Sequence, residues 1–124
     1  MRLLLADDDS FLLDMYAVKF IEAGHEVTAV RDGTEALAAL RKGAVFDGVL
    51  LDMVMPGLSG LELIAVIKKE GLGGKDCKCL VLSNQGEQED ISAATKAGAA
   101  GYIVKAQAMP SEVVEKVTKM LTAA

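Results

Sequence analysis

Apolar and polar positions along the chain follow two periods that take turns. Short, nearly continuous apolar runs occur five times, at Arg2 to Ala6, Glu26 to Val30, Asp47 to Leu51, Cys79 to Ser83 and Ala100 to Val104. Each is followed by a stretch in which apolar residues return every three or four positions. Runs that barely alternate are expected of strands covered on both faces, and the intervening stretches read as amphipathic helices. Leu12, Met15, Tyr16, Phe20 and Ala23 form the first stripe. Ala36, Leu37 and Leu40 form the second, behind a capping-box start at Asp32-Gly33-Thr34-Glu35. Leu63, Ile64 and Ile67 follow Pro56; Ile91, Ala94 and Ala97 make the fourth stripe; Val113, Val114, Val117 and Leu121 make the fifth, which opens at Pro110. Gly24, Gly43, Gly71 and Gly98 stand where the first four helices should stop. Five strand–helix repeats predict an α/β domain, and right-handed crossovers make a doubly wound five-stranded parallel sheet with helices on both faces the economical topology.

Composition narrows the function classes. With 124 residues, 52% of them hydrophobic, the chain can bury one core and is expected to be a single domain over residues 1–124. Apolar runs such as Val49 to Leu51 are far short of the roughly 20 residues of a membrane span. Arg2 is followed by only four apolar residues before three aspartates, which does not suit a signal peptide. A cytoplasmic location with no membrane partner is therefore expected. A net charge of −5, without a block of lysine or arginine, argues against direct nucleic-acid binding. Cys77 and Cys79, one residue apart, are expected to be ordinary thiols, because that spacing strains a disulfide and a zinc site would need two more ligands. His25 reads as a surface residue, and Met53 and Met55 as loop residues with no metal role.

The chemistry-bearing residues lie just past the strands. In a doubly wound sheet, ligands bind at the carboxyl ends of the strands near the switch in strand order. Here the first strand runs into Asp7-Asp8-Asp9, the third into Asp52, the fourth ends in Ser83 and the fifth runs into Lys105, whereas the second meets only Arg31. Several carboxylates gathered in one crevice repel one another, and a hard divalent cation with oxygen ligands is the usual compensation. Mg²⁺ fits best, since it takes one or two carboxylates and leaves room for phosphate oxygens. Carboxylate, hydroxyl and ammonium around such a cation suit phosphoryl transfer, in which catalysis is mostly positioning and electrostatics. Asp9, by contrast, reads as a helix cap.

At these positions the sequence resembles the receiver domain of two-component response regulators, from the first strand through the fifth helix. The resemblance rests on Leu3-Leu4-Leu5-Ala6-Asp7-Asp8-Asp9, Leu50-Leu51-Asp52-Met53-Val54-Met55-Pro56-Gly57, Val81-Leu82-Ser83-Asn84 and Gly101-Tyr102-Ile103-Val104-Lys105, four stretches in the family's order. It implies a chemotaxis-regulator-like, flavodoxin-like sheet of order 2-1-3-4-5. It also implies Asp52 as phosphoacceptor, Asp8 and Asp52 as carboxylate ligands of Mg²⁺, Asp7 as a ligand through water, and the Val54 carbonyl as a further ligand. Ser83 resembles the switch hydroxyl, Lys105 the lysine that pairs with the phosphoryl group, and Tyr102 the aromatic that swings inward on activation. The implied partners are a histidine kinase or phosphotransfer protein, which presents a phosphohistidine, and a downstream protein target that reads the face of the fourth helix, fifth strand and fifth helix. Homodimerisation through the fourth and fifth helices on phosphorylation is left open, as is whether the chain is a single-domain regulator or one receiver of a longer protein.

Two departures from the family pattern carry expectations. Most receivers place proline after the lysine, often behind a cis peptide, whereas this chain reads Lys105-Ala106-Gln107; a cis bond before alanine costs roughly 3 kcal/mol. Val54 presents an apolar side chain where some members carry an amide or acid that can orient water, so slow loss of the phosphoryl group is expected, with Gln85 the other residue flanking the attacking water. The alternative functions are a Mg²⁺-dependent phosphatase with Asp52 as nucleophile, for which no insertion supplies a substrate pocket, and an interaction module that has lost its need for phosphate, against which the complete acid, hydroxyl and lysine set argues.

Overall fold

The computed structural model describes residues 1–84 and 86–122. Ten principal elements alternate along the chain: β1 (Arg2–Ala6), α1 (Ser10–Glu22), β2 (Glu26–Val30), α2 (Gly33–Arg41), β3 (Gly48–Leu51), α3 (Gly60–Glu70), β4 (Lys78–Ser83), α4 (Gln88–Ala97), β5 (Gly101–Val104) and α5 (Pro110–Thr122), with a 3₁₀ turn at Lys105–Gln107. All strand pairs are parallel, and the order is β2-β1-β3-β4-β5. Three strand starts move by one residue from the sequence reading. Asp47 stays outside β3, and its carboxylate accepts a hydrogen bond from the Arg2 backbone N–H at 2.8 Å.

The pleat sends successive side chains to opposite faces. Leu4 and Ala6 of β1, with Val49 and Leu51 of β3, pack under Ala36, Leu40, Leu63, Ile64, Ile67 and Ala94 of α2, α3 and α4. Leu3, Leu5, Leu50, Leu80 and Ile103 pack on the other face under Leu13, Tyr16, Phe20, Val113 and Val117 of α1 and α5. The central strands are thus buried on both faces, as their continuous apolar runs predict. β2 is not: as an edge strand it keeps Glu26, Thr28 and Ala29 exposed.

The inward stripe of α1 also differs from the sequence reading. With Asp9 as N-cap, the helix turns Leu13, Tyr16 and Phe20 to the sheet, leaving Leu12 and Met15 half-buried and Ala23 exposed. Met53 and Met55 lie in the loop after β3, as read, but they are buried core residues, clustered with Leu63 and Ile64 of α3. Cys77 and Cys79 are free thiols, and burial pushes Cys77 up to about 12, so it stays protonated at neutral pH. His25 is half-buried beside Phe20 rather than fully exposed. Among the described residues, no helix is long and apolar enough to cross a membrane.

Candidate functional site

Strand register assembles the site. Ala6 of β1 lies beside Leu51 of β3, so the next residue on each, Asp7 and Asp52, emerges side by side at the carboxyl edge of the sheet. Ser83 at the end of β4 pairs with Val104 of β5, which brings Lys105 to the same edge. The start of α3 closes on the Asp52 loop: Gly60 donates its N–H to the Met53 carbonyl at 3.0 Å, and a Cβ at Gly60 would lie 2.4 Å from the Asp52 carbonyl oxygen. Only glycine permits that approach.

Lys105 is the electrostatic centre. Its Nζ donates to Asp7 Oδ2 at 2.5 Å and to Asp52 Oδ2 at 2.9 Å. The remaining oxygens meet backbone donors, Asp7 Oδ1 accepting from the Asp9 N–H at 3.0 Å and Asp52 Oδ1 from the Val54 N–H at 3.3 Å. Burial alone would lower the Lys105 ammonium, but its hydrogen bonds to Asp7 and Asp52, together with their charges, outweigh burial and hold it above the usual lysine range. Burial raises the Asp7 carboxyl, against the opposing pull of Lys105 and the Asp9 N–H. One oxygen each from Asp7, Asp8 and Asp52 can be chosen so that all lie within 4.8 Å of one another. An oxygen-only set, graded from buried Asp7 to exposed Asp8, suits a hard divalent cation that keeps several waters.

Ser83 is buried, and its side chain is hydrogen-bonded to that of Tyr102, a bond that works against the burial-driven rise of the tyrosine. The structure therefore gathers Asp7, Asp8, Asp52 and Lys105 directly, attaches the Val54 backbone to Asp52, and couples Ser83 to Tyr102. Asp9 caps α1, accepting from the Leu12 N–H at 3.1 Å, as expected. No cis peptide occurs among the described residues, so Ala106 follows Lys105 through a trans bond into the 3₁₀ turn. Gln85, expected to flank the attacking water, lies outside the described residues.

The sequence reading missed two contributors. Gly60 was visible only as a glycine at a helix start. Tyr16, read as packing, is buried within the field of both Lys105 and Asp7; the available signal was a polar tip on the inward stripe of the helix that follows the acids.

The response regulator receiver domain family model matches residues 3–118. The chain belongs to that family. It is a receiver domain of a two-component response regulator, a signalling domain with the flavodoxin-like strand order. Among curated relatives, the DNA-binding response regulator MtrA of Mycobacterium tuberculosis (strain ATCC 25618 / H37Rv) is 30% identical over 120 residues, covering 97% of this chain and 50% of MtrA. The two-component response regulator PhoP of Pseudomonas aeruginosa is 34% identical over 105 residues, 85% of this chain and 45% of PhoP. The receiver domain thus spans about half the length of these relatives. Of solved structures, response regulator TrrA of Thermotoga maritima, in complex with Mg²⁺-BeF, superposes with a TM-score of 0.80 at 32% identity, covering 96% of this chain and 97% of TrrA. The chemotaxis response regulator CheY4 of Vibrio cholerae gives 0.86 at 27% identity, with 96% and 97% covered. DNA binding is named for MtrA, so the expectation of no nucleic-acid partner can apply at most to these 124 residues and not to a longer protein of the MtrA kind.

Proposed function

We propose that this receiver domain, a single domain over residues 1–124 acting in the cytoplasm, is a phosphoacceptor switch in which Asp52 takes a phosphoryl group from a phosphohistidine of a sensor kinase or phosphotransfer protein. The observation that carries the proposal is the Lys105 ammonium bridging Asp7 and Asp52, with Asp8 alongside. An Asp52 carboxylate oxygen attacks phosphorus; the P–O bond forms as the P–N bond breaks, and the imidazole nitrogen keeps the electron pair. Lys105 is placed to neutralise the phosphoryl oxygens as charge develops on them. Asp8, Asp52 and the Val54 carbonyl would hold Mg²⁺, with Asp7 acting through a water; once bound, the cation offsets the charge of the carboxylates and the incoming phosphoryl group. The Mg²⁺-BeF complex of TrrA supports that choice of ion. Phe11, Val54 and Met109, exposed on segments that follow β1, β3 and β5, offer apolar surface to the phosphodonor protein.

Once phosphorylated, Asp52 presents strong acceptors to the Ser83 hydroxyl, which must then exchange or share its bond to Tyr102. Tyr102 repacks, and the α4–β5–α5 face changes its affinity for a downstream protein or a second copy of the chain. Hydrolysis of the acyl phosphate resets the domain, so its only catalysis is of its own modification. The phosphatase alternative is weaker, since the family is one of signalling domains.

Incubation with acetyl phosphate and Mg²⁺, followed by intact mass measurement, tests this reading. One added phosphoryl group is expected, absent without the cation and absent in Asp52→Asn. Protein that stays unmodified with a competent donor, or Asp52→Asn modified to the same extent, would overturn it.

A further inference from the structure

The helix face that α1 turns to the sheet carries a tyrosine between two hydrocarbon residues, Leu13 and Phe20. Tyr16 is only 4% exposed. Among the described residues no hydrogen bond joins its hydroxyl to another protein group and no buried side-chain oxygen is left both enclosed and unbonded, so the hydroxyl keeps some accessible surface; Tyr16 lines a small cavity together with Asp7. That cavity leaves about 10 Å³ for the centre of a water molecule, and among its described lining residues the polar ones are Tyr16 and Asp7; the rest are Leu5, Ala6, Leu13, Leu50 and Leu82. A volume of this size admits one water, provided polar partners are at hand. Asp7 can supply one: each carboxylate oxygen accepts one bond, from the Asp9 N–H and from Lys105, and each retains a second lone pair. A phenol is a donor at neutral pH.

We propose that Tyr16 is a positioning residue for the acid site: its hydroxyl holds one water in the cavity that it lines with Asp7, and that water donates to the Asp7 carboxylate and fixes it for cation binding. The inference rests on the phosphoacceptor reading, in which Asp7 serves the cation through water. Tyr16 touches neither the cation nor the phosphoryl group. It acts from behind, as groups bonded to metal ligands commonly do.

The test compares wild type with Tyr16→Phe, which keeps the ring and removes the oxygen. Mg²⁺ affinity is measured by calorimetry, and the melting temperature is measured without the cation. The variant should bind Mg²⁺ about tenfold more weakly while its cation-free melting temperature holds or rises, a division that a packing role would not produce. In wild type, magnetisation transfer should show a long-lived water against the Tyr16 ring, absent in the variant. Equal Mg²⁺ affinity in the two proteins, with wild type still phosphorylated on Asp52, overturns the positioning role alone. A wild type that binds no Mg²⁺ overturns both this inference and the phosphoacceptor reading.

Discussion

Lys105→Met keeps the apolar stem of the side chain and deletes its charge. The Lys105, Asp7 and Asp52 side chains are 4%, 7% and 13% exposed, so the variant leaves two carboxylates facing each other with little water and no ammonium between them. Deleting one member of a buried ion pair costs about 3–5 kcal/mol. The site is open on its Asp8 side, and one carboxyl can escape by taking a proton, so the lower end, about 3 kcal/mol at neutral pH, is expected. For a chain of this size that is a fall of about 10 °C in melting temperature.

The pH dependence separates this account from a simple packing defect. Asp7 is already raised by burial, and the hydrogen bond from Lys105 is the largest influence opposing that rise. Without Lys105 it moves further up, so the folded state binds its proton more tightly than the unfolded chain does. Stability tied to that proton is fully present below the ordinary value of 3.8 and is lost as pH rises through the folded-state value. The deficit of the variant should therefore be largest at neutral pH and shrink toward about pH 4. Added Mg²⁺ returns positive charge to the cluster and should raise the melting temperature of the variant more than that of wild type. Thermal unfolding followed by circular dichroism, across pH and with or without Mg²⁺, measures all three effects. A variant as stable as wild type at neutral pH, or a deficit indifferent to pH, would refute the reasoning.

Ser83→Ala should still take a phosphoryl group at Asp52 but lose most of the change in partner affinity, since it removes the hydroxyl bonded to Tyr102, through which the proposed switch acts; partner binding that responds to phosphorylation as in wild type would contradict this. The exposed, apolar Val54 side chain cannot hold a water for attack, so the phosphorylated form should persist well beyond seconds, and Val54→Asn should shorten its lifetime about tenfold or more, as followed by loss of the added mass.

The fold was legible because β1, β3, β4 and β5 read as continuous apolar runs, and only a sheet covered on both sides asks for that. β2 was less so: Val27, Ala29 and Val30 look like any buried strand in one dimension, and only its place at the edge leaves it wet. The inward stripe of α1 was misplaced because Leu12 and Leu13 are equivalent by composition, and the choice between them is set by where Asp9 starts the helix. Met53 and Met55 are enclosed only because α3 folds back over them. At the site, residue types at strand ends were enough to nominate Asp7, Asp8, Asp52, Ser83 and Lys105. That one ammonium grips two carboxylates, 98 and 53 residues away in the chain, is a property of register and strand order that no local pattern contains. Gly60 and Tyr16 escaped for the same reason, as their significance lies in what they meet.

The helices are not held equally, and the difference falls where a switch would use it. α3 starts with a reciprocal Ser59–Glu62 capping box and buries Leu63, Ile64 and Ile67. α4 has no side-chain cap bond at Glu87, and Ala94 alone among its residues is fully buried. A missing cap costs about 1 kcal/mol, and each large aliphatic side chain not buried forgoes about 1.5–3 kcal/mol, so α4 is anchored more weakly than α3 by several kcal/mol. A hydrogen bond from Ser83 to a charged phosphoryl group contributes about 1.5–3 kcal/mol. That is too little to repack α3 and comparable to what holds α4. Tyr102 lies between the site strand and α4, bonded to Ser83 of β4 and within the field of Asp90 of α4. A local bond of modest strength can therefore shift the population of packings only on the α4 side of the domain, which is where the phosphoacceptor reading puts its output.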